Sequence, residues 1–316
     1  MDVIVLAGGF GTRLRPWTES IPKPLLPILD KSMIEHVLDV RPESQVNRVL
    51  IAAGYGVEQI REHFDGIPLP YEVIIVEEKE PLGTGGAIAN CREHLSGGTF
   101  CVINGDLITS LRVEEMLDFH TSNGGIATIS LWEVEDPSRF GVADYIDETG
   151  KIMRFQEKPP IEEAFSNLIN AGTYLLEHDI FDLMPEGAHS IERDVYEKIA
   201  ASGALNGFPF GGMFVEAGTP TSFVEASQAC ISSHRFSSGS VQDDSWLGSD
   251  SHCLGRVSGS SIGPGATIAE GCNVRNSVIL EGAVIEGNCL LESCLIGKGA
   301  TIPAGTVMSG EIVNHI

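Results

Sequence analysis

Short apolar runs alternate with amphipathic stretches from residue 1 to about residue 235. Apolar runs rich in β-branched residues predict strands, and apolar residues at helical spacing predict helices. The predicted strands lie at 3–7, 49–53, 71–76 and 100–103, and the predicted helices lie at 33–40, 57–64 and 85–95. This alternation predicts an α/β fold with a Rossmann-like, doubly wound and mostly parallel sheet. Ligands bind such sheets at the carboxyl ends of the strands, so the loops after Leu6 and Ile103 are the first candidates for a site.

A different pattern begins after residues 236–251, which are rich in Ser, Gly and Asp and predict a linker. Apolar positions then recur at spacings of six, six and five residues, which gives a period of 17. These positions are Ile262, Ile268, Val274, Ile279, Ile285, Leu291, Ile296, Ile302 and Met308. Such regularity predicts a three-coil β-solenoid whose strands each point one apolar residue inward. We therefore expect an α/β domain at 1–235, the linker, and a solenoid domain at 252–316.

The 17-residue pattern resembles the hexapeptide repeat of left-handed parallel β-helices, and the resemblance implies a left-handed coil. A short solenoid is more often a packing or oligomerisation module than a catalytic one, so we expect a homo-oligomer joined through it. An acyltransferase built on the solenoid would need a histidine base at a coil edge. The available histidines, His252 and His315, lie outside the nine repeat positions, which disfavours that function.

The chain is strongly acidic, with 44 acidic and 20 basic side chains and a net charge of −24. This sign disfavours binding to nucleic acid and to anionic membranes, and it requires any phosphate site to be a local basic patch. The seven cysteines form no C-x-x-C pair, and the N-terminal sequence does not fit a secretion signal. No apolar stretch reaches the ~18 residues of a membrane helix. We therefore expect reduced thiols and a cytoplasmic protein.

A glycine-rich loop, LAGGFGTRLR at 6–15, directly follows the first predicted strand. Glycines there allow backbone N–H groups to approach phosphate oxygens. Arg13 and the proline-flanked Lys23 add positive charge, and the surrounding segment holds a single acidic residue, Glu19. The loop matches neither the Walker A pattern nor the G-x-G-x-x-G fingerprint. A tight glycine turn with surface arginines is the alternative, but the spacing of Arg13 and Lys23 favours a phosphate site.

The same region, LAGGFGTRLRPWTESIPKPLLPI, resembles the signature of sugar-1-phosphate nucleotidylyltransferases. Further segments resemble this family in the same order: EEKEPLGTGGAI at 77–88, VINGD at 102–106, FGVADYIDETGKIMRFQEKP at 140–159, NAGTYLL at 170–176 and FVEAGTPTSF at 214–223. The resemblance is strongest to the mannose-1-phosphate and heptose-1-phosphate guanylyltransferases. It implies an enzyme with the nucleotidyltransferase fold that joins a nucleoside triphosphate to a sugar 1-phosphate and releases pyrophosphate.

The resemblance also implies roles for the matched residues. The implied nucleotide-binding residues are Leu6, Ala7, Gly8, Gly9, Gly11, Thr12, Arg13, Lys23, Glu78, Gly83, Thr84 and Asp106. The implied sugar-phosphate residues are Gly141, Glu157, Lys158, Asn170 and Gly172. Both reactants are anions, so catalysis depends on charge neutralisation and positioning. The implied catalytic residues are Arg13 for the leaving pyrophosphate, Lys23 for the α-phosphate, and Asp106.

Magnesium is the implied cofactor, with Asp106 and Glu216 as its protein ligands. Mg²⁺ prefers carboxylate and phosphate oxygens. The family usually has an aspartate in a D-x-G context where this chain has Glu216, followed by Ala217 and Gly218. The extra methylene lengthens the reach of the carboxylate, and ligation through a water molecule would accommodate it.

Glu78 is the residue from which we predict the base. An ionised carboxylate only accepts hydrogen bonds, so it suits the two adjacent donors of guanine and opposes a carbonyl of uracil or thymine. We therefore expect GTP, with a UTP- or dTTP-dependent glucose-1-phosphate enzyme as the alternative. Glu78 would have no such role if it were a solvated charge of the acidic run at 77–80. A non-catalytic regulatory relative that senses nucleotide sugars is a further alternative. It would lose Arg13, Lys23 or Asp106, and all three are present.

Overall fold

The computed structural model describes residues 1–41 and 46–314, and His315 lies outside these described residues. The chain forms two compact units, each assembled from separate segments. The first unit comprises Met1–Gly9, Asp39–Gly105 and Thr109–Phe214, and the second comprises Phe10–Leu38, Asp106–Ile108 and Val215–Ile316. The boundary near residue 235 that the sequence predicts therefore does not separate the units, because segments from the N-terminal part of the chain group with the solenoid.

The main elements before residue 235 are six α-helices and thirteen strands among the described residues. The strands are β1 (Asp2–Leu6), β2 (Pro27–Ile28), β3 (Lys31–Ser32), β4 (Arg48–Ala53), β5 (Glu72–Glu77), β6 (Phe100–Asn104), β7 (Leu107–Thr109), β8 (Ala127–Glu133), β9 (Gly141–Ile146), β10 (Lys151–Glu157), β11 (Leu168–Leu176), β12 (Leu205–Pro209) and β13 (Phe214–Glu216). The helices are α1 (Met33–Leu38), α2 (Val57–Asp65), α3 (Gly83–Asn90), α4 (Val113–Asn123), α5 (Glu197–Ala201) and α6 (Pro220–Ser232).

A nine-stranded sheet forms the centre of the first unit, in the order β5-β4-β1-β6-β11-β8-β12-β10-β9. The strands from β5 to β6 are parallel, as the alternation of strands and helices predicts. Beyond β6 the sheet is mixed: β11 runs antiparallel to both its neighbours, while β8 and β12 are parallel. The predicted α/β fold class is confirmed, with an antiparallel extension in the region for which the apolar pattern gave no elements.

The first strands carry continuous apolar runs because both faces of the sheet are covered. Ile4, Leu50 and Val102 are fully buried in one core cluster. In the parallel pairing of β1 with β6, Leu6 lies opposite Asn104. The two strands therefore end at the same edge of the sheet, where a ligand site is expected.

Gly105 allows the chain to leave β6 at this edge. Its N–H donates to the carbonyl of Leu6 at 2.9 Å, and a β-carbon at this position would lie 2.6 Å from that carbonyl oxygen. A larger residue would separate the two strand ends, so glycine is required here.

The solenoid lies in the second unit and consists of short strands in three sheets. Its strands are β14 (Ser240–Gln242), β15 (Ser245–Leu247), β16 (His252–Cys253), β17 (Arg256–Ser258), β18 (Ser261–Ile262), β19 (Thr267–Ile268), β20 (Asn273–Arg275), β21 (Val278–Ile279), β22 (Val284–Ile285), β23 (Leu290–Glu292), β24 (Leu295–Ile296), β25 (Thr301–Ile302), β26 (Val307–Ser309) and β27 (Ile312–Val313). Strands in adjacent coils pair in parallel at the predicted 17-residue interval, as in Ser261, Val278 and Leu295.

The predicted inward positions form the core of the solenoid. The first eight of the nine apolar repeat residues are at most 1% exposed, and Met308 is partly buried against the same cluster. The 17-residue pattern therefore predicted which side chains point inward.

The prediction of a linker at 236–251 is wrong, because this segment holds two strands. β15 pairs in parallel with β18, and β16 and β17 complete a coil that precedes the three predicted coils. Trp246 lies opposite Ser261, 15 residues later, so this coil is two residues shorter than the repeat and escapes the 17-residue pattern. Trp246 is 1% exposed, and its indole N–H donates to the carbonyl of Ser238 at 3.0 Å.

Over residues 1–41 and 46–314, no helix has both the length and the apolar character needed to cross a bilayer.

Neighbouring residues in the solenoid allow a matched test of its core. Ile285 is fully buried and Val284, on the same strand, is 37% exposed. We expect Ile285→Ala to lower the free energy of unfolding by about 2–5 kcal/mol, because it removes buried methyl groups and leaves a cavity. Val284→Ala should change it by less than about 0.5 kcal/mol. Urea unfolding of both variants measures the difference, and equal effects would contradict the assignment of inward and outward positions.

Candidate active site

Four predicted charged residues lie together in the second unit, and we call them the charged cluster: Arg13, Lys23, Asp106 and Glu216. Lys23 Nζ contacts Asp106 Oδ2 in a hydrogen-bonded ion pair. Arg13 Nη2 lies 3.9 Å from Glu216 Oε1, near the limit for an ion pair. The Lys23 side chain is only 12% exposed, whereas that of Arg13 is 55% exposed. The cluster thus combines a largely buried, paired lysine with an exposed arginine.

The local backbone explains how Lys23 and the glycine-rich loop are held. Lys23 begins a short 3-10 helix between two prolines. Gly11 has a φ of 60°, and a β-carbon on it would lie 2.8 Å from Thr18 Cγ2 and 3.0 Å from Lys23 Cβ. Thr18 closes the loop by donating from its hydroxyl to the Gly11 carbonyl at 2.9 Å. Only glycine combines this backbone conformation with this close approach.

Gly218 shows how closely the charges converge. A β-carbon on Gly218 would lie 3.2 Å from Arg13 Nη2, 3.2 Å from Glu216 Oε1 and 3.6 Å from Lys23 Nζ. Asp106 is tied to the same segment, because the N–H of Ala217 donates to its carbonyl at 2.8 Å. The F-V-E-A-G segment therefore places Glu216 beside Arg13 and holds the backbone of Asp106, the partner of Lys23.

The donor set of the charged cluster fits a magnesium ion. Asp106 and Glu216 supply carboxylate oxygens, and their side chains are 23% and 32% exposed. Among residues 1–41 and 46–314, no three His, Cys, Asp or Glu side chains form a group that could enclose a metal. Magnesium is commonly bound through one or two carboxylates together with substrate phosphates and water, rather than in an all-protein cage.

The remaining loop residues take the positions expected of a glycine-rich turn. Leu6 ends β1, and the N–H of Ala7 donates to the carbonyl of Ala52 at 2.8 Å. A β-carbon on Gly9 would meet no atom within 4 Å, so the backbone there faces open space. Thr12 begins a 3-10 helix that also contains Arg13.

Glu78 lies in the first unit beside Gly8. A β-carbon on Gly8 would lie 2.5 Å from Glu78 Oε1, so the loop passes the carboxylate at close range. Glu78 is 9% exposed, which excludes the interpretation of Glu78 as a solvated charge. Burial raises the pKa of its carboxyl group, and the Leu82 N–H at 3.5 Å lowers it by a smaller amount. The carboxylate is buried with one long hydrogen bond, so a ligand with N–H donors would satisfy it.

Gly83 and Thr84 begin α3 against the backbone of His189. Gly83 has a φ of 70°, and a β-carbon on it would lie 2.5 Å from the His189 carbonyl oxygen. The N–H of Gly85 donates to that oxygen at 3.0 Å. Thr84 directs its hydroxyl to Glu192 Oε2 at 2.6 Å. The glycines of this motif thus allow close packing against His189, and the threonine forms a hydrogen bond with Glu192.

Glu157 and Lys158 form an ion pair at the end of β10. Lys158 Nζ lies 3.0 Å from Glu157 Oε1. Lys158 has a φ of 50°, a conformation that is uncommon outside glycine and is often found at functional sites. A β-carbon on Gly141 would lie 2.9 Å from Glu157 Oε2. Burial raises the pKa of Glu157, while its hydrogen bond with Lys158 lowers it and the negative charge of Glu192 raises it further.

Asn170 is oriented on both sides of its amide group. Its Oδ1 accepts from the N–H of Gly172 at 2.9 Å, and its Nδ2 donates to the hydroxyl of Tyr174 at 3.0 Å. Gly172 has a φ of 71°, which fits a residue other than glycine poorly. Asn170 is therefore held by specific contacts, as a ligand-binding amide requires.

Sequence reasoning missed three polar residues that hold the predicted ones. Tyr174, Ser190 and Glu192 form hydrogen bonds with Asn170, Thr84 and one another. Tyr174 lies within the NAGTYLL motif without a role implied by the resemblance, and Glu192 looks like an ordinary surface charge in the sequence. A buried carboxylate has no signature in composition or spacing, so these residues were visible only in the fold.

Two family models match the chain. The nucleotidyl transferase model matches residues 2–233, and the GlmU-like, C-terminal hexapeptide model matches residues 226–312. The chain belongs to the nucleotidyl transferase family. The predicted family and the predicted order of the two folds are thereby confirmed.

Curated relatives of this nucleotidyl transferase extend over most of its length. Mannose-1-phosphate guanylyltransferase 1 of Arabidopsis thaliana is 35% identical over 294 residues, which cover 89% of this chain and 80% of the plant protein. The mannose-1-phosphate guanylyltransferase catalytic subunit beta of Xenopus tropicalis is 33% identical and covers 86% of this chain and 74% of its own. These relatives confirm the enzyme class, a sugar-1-phosphate nucleotidylyltransferase.

A solved structure is also similar to most of this chain. HddC from Yersinia pseudotuberculosis, complexed with GMP-PN, has a TM-score of 0.61 and 30% sequence identity to this chain. The similarity covers 72% of this chain and 98% of HddC.

The charged cluster generates a direct prediction for Lys23 and Asp106. We expect Lys23→Ala and Asp106→Ala each to lower turnover by ~10²–10³, because each removes a preorganised charge from the reacting phosphates. Pyrophosphate release measures turnover, and circular dichroism checks the fold. Lys298→Ala is the matched control, because Lys298 is an exposed solenoid lysine paired with Glu281 at 2.7 Å. Near-wild-type turnover in a folded Lys23 or Asp106 variant would refute the role assigned to that residue.

Proposed function

We propose that this protein transfers the guanylyl group of GTP to mannose 1-phosphate or a closely related sugar 1-phosphate and releases pyrophosphate. The observation that carries the proposal is the buried carboxylate of Glu78 beside the glycine-rich loop. The relatives named as mannose-1-phosphate guanylyltransferases support the reaction. The complex of HddC with GMP-PN supports a guanine nucleotide in this fold.

Glu78 is suited to guanine because of its hydrogen-bonding capacity. Guanine presents its N1–H and N2 amino donors side by side, and an ionised carboxylate accepts both. Uracil and thymine would place a carbonyl oxygen against the same carboxylate. Because Glu78 is buried with one long hydrogen bond, the wrong base would leave it unsatisfied, and such a mismatch discriminates strongly.

The charged cluster is suited to the phosphate chemistry. An oxygen of the sugar phosphate attacks the α-phosphorus of GTP, a new P–O bond forms, and the bond to the β-phosphate oxygen breaks. Lys23 would stabilise charge at the α-phosphate, and Arg13 would follow the departing pyrophosphate. Asp106 and Glu216 would hold the Mg²⁺, which supplies further neutralisation of phosphate charge.

The sugar phosphate is proposed to bind the first unit. Lys158 would bind the phosphate, while Glu157 and Asn170 would bind the sugar hydroxyls. Gly141 and Gly172, which have no side chains, would let main-chain polar groups approach the sugar. Equatorial and axial hydroxyls use the same kinds of hydrogen bond, so these residues define a hexose-type or heptose-type substrate class rather than one sugar.

Two other functions fit the family less well. A UTP- or dTTP-dependent enzyme would need an amide or another donor in place of Glu78. A regulatory relative without catalysis would not retain Arg13, Lys23 and Asp106 in one cluster. Both alternatives are decided by pyrophosphate release in a matrix of nucleotides against sugar phosphates.

The base assignment predicts the nucleotide preference and its pH dependence. We expect GTP to be preferred over UTP and dTTP, and Glu78→Gln to erode that preference. The carboxylate is the active form, and its pKa is raised by burial. The kcat/KM for GTP should therefore fall on acidification at a higher pH than for an ordinary glutamate, and this limb should be absent in Glu78→Gln.

Glu80→Gln is the matched control, because Glu80 is an exposed member of the same acidic run. Its nucleotide ratio and pH profile should equal those of the wild type. A wild-type preference for UTP or dTTP, or an unchanged ratio in Glu78→Gln, would overturn the guanine assignment and leave the enzyme class in place.

We also propose a homo-oligomer joined through the solenoid, in the cytoplasm. The outward residues Leu290 and Val307 lie on adjacent coils of one sheet and are 47% and 75% exposed. Adjacent exposed apolar residues on one face are typical of interfaces. All seven cysteines are free thiols, which fits a reducing compartment.

The proposed interface is tested with a charge on this face. We expect Leu290→Glu combined with Val307→Glu to reduce the particle mass in light scattering, because buried like charges would oppose association. Lys298→Glu, on an exposed position elsewhere on the solenoid, is the control. A wild-type monomer, or an unchanged mass in the double variant, would count against association through this face.

A further inference from the structure

One buried carboxylate, Glu192, accepts hydrogen bonds from three hydroxyl groups in the first unit. Glu192 is 7% exposed. Its Oε2 accepts from Thr84 Oγ1 and from Ser190 Oγ, both at 2.6 Å. Its Oε1 accepts from the hydroxyl of Tyr174 at 3.4 Å. The two oxygens of one carboxylate therefore have different partners.

The partner of Oε1, Tyr174, orients Asn170, which is proposed to bind the sugar. Tyr174 is fully buried, and its hydroxyl accepts from Asn170 Nδ2 at 3.0 Å while it donates to Glu192. Asn170 Oδ1 is occupied by the N–H of Gly172. One N–H of the Asn170 amide remains available for a ligand, and its direction is set by the Tyr174 hydroxyl and so by Glu192.

One partner of Oε2, Thr84, is itself proposed to bind the nucleotide. Thr84 lies in the first turn of α3, directly after Gly83. Its hydroxyl donates to Glu192 and accepts from the N–H of Ile191 at 3.0 Å. The start of α3 is therefore fixed to Glu192 by a short hydrogen bond to an ionised acceptor, which is stronger than a bond between neutral groups.

We propose that Glu192 is a positioning residue that holds the nucleotide-side Thr84 and the sugar-side Asn170 in a fixed mutual geometry, an inference that rests on the proposed function. The carboxylate is suited to this task because it accepts on both oxygens and donates on neither. A glutamine of the same shape would direct an N–H₂ group at a hydroxyl donor on one side and offer only a neutral oxygen on the other, so one connection would be lost and the other weakened. Correct geometry between two reactants is a major source of rate enhancement.

The charge of Glu192 also has an effect on the pKa of Glu157 that packing alone would not have. Glu192 is one of the groups that raise the pKa of Glu157. The charged and titratable groups that face Glu157 are Lys158, Tyr174, Glu192, Arg193 and Glu197. Removal of the Glu192 charge lowers the pKa of Glu157, so the acid limb of kcat/KM for the sugar phosphate should move to lower pH.

The test compares Glu192→Gln with Glu177→Gln. Glu177 directly follows β11, the strand that carries Asn170 and Tyr174. Like Glu192, it accepts a hydrogen bond from a threonine hydroxyl, Thr99 Oγ1, at 2.6 Å. We expect Glu192→Gln to lower kcat by up to about 10²-fold and to raise the KM of both substrates several-fold. Its acid limb should shift to lower pH. Glu177→Gln should keep the wild-type kinetic constants and pH profile. Kinetics are measured with the nucleotide and sugar phosphate that the wild type turns over fastest.

Several outcomes would overturn the inference. Kinetic constants within about twofold of the wild type, an effect on the KM of one substrate alone, or an unshifted acid limb would each reject a bridging role. If Glu192→Gln does not fold, Tyr174→Phe removes only the Oε1 connection. It should then lower kcat and raise the KM of the sugar phosphate, while the KM of the nucleotide stays within about twofold of the wild type because Thr84 keeps its bond to Oε2. An unchanged KM for the sugar phosphate in this variant would reject the inference. A wild-type preference for UTP would overturn the guanine assignment but would leave this test intact.

Discussion

The parallel pairing of β1 with β6 is the interaction on which the first unit depends. It is formed by residues without polar side chains, such as Ile4 and Val102, and its register sets Leu6 opposite Asn104. Gly105 then lies so close to the carbonyl of Leu6 that a side chain at this position would clash with it. The apolar core therefore decides where the glycine-rich loop begins. The positions of the loop residues follow from a hydrophobic constraint rather than from interactions among the polar groups themselves.

The buried carboxylates of the first unit differ in how fully they are satisfied, and this difference separates their roles. Burying a charge is costly unless hydrogen bonds or counter-charges compensate. Glu192 is compensated within the protein by three hydroxyl donors, so it suits a fixed structural task. Glu78 has one backbone donor at 3.5 Å, so it is less compensated within the protein, which fits the proposed contact with the base. Glu157 is intermediate, because it pairs with Lys158 in a strained backbone segment.

The sequence allowed accurate prediction where the structure imposes a regular spacing of apolar residues or a backbone conformation that requires glycine. The inward solenoid residues recur every 17 positions, and Gly11 and Gly83 mark conformations that other residues rarely adopt. The first coil was missed because it is two residues shorter than the repeat and begins in a segment of turn-forming composition. Glu192 was missed because nothing in the identity of a glutamate shows whether the fold will bury it beside three hydroxyls. Burial of this kind is a property of the tertiary structure.

The ion pair of Lys23 with Asp106 links the two ligands that the proposed function assigns to the charged cluster, the nucleotide phosphates and the Mg²⁺. Both side chains are largely withdrawn from water, at 12% and 23% exposure, so each requires a partner. An unpaired buried charge is strongly destabilising. A phosphate alone would take the lysine and leave Asp106 opposed to two negative groups. A cation alone would take Asp106 and leave Lys23 without its counter-charge. On the proposed function, a nucleotide that arrives together with a divalent cation would give each residue a new partner at the same time, so the ion pair would favour binding of the two together over either one alone.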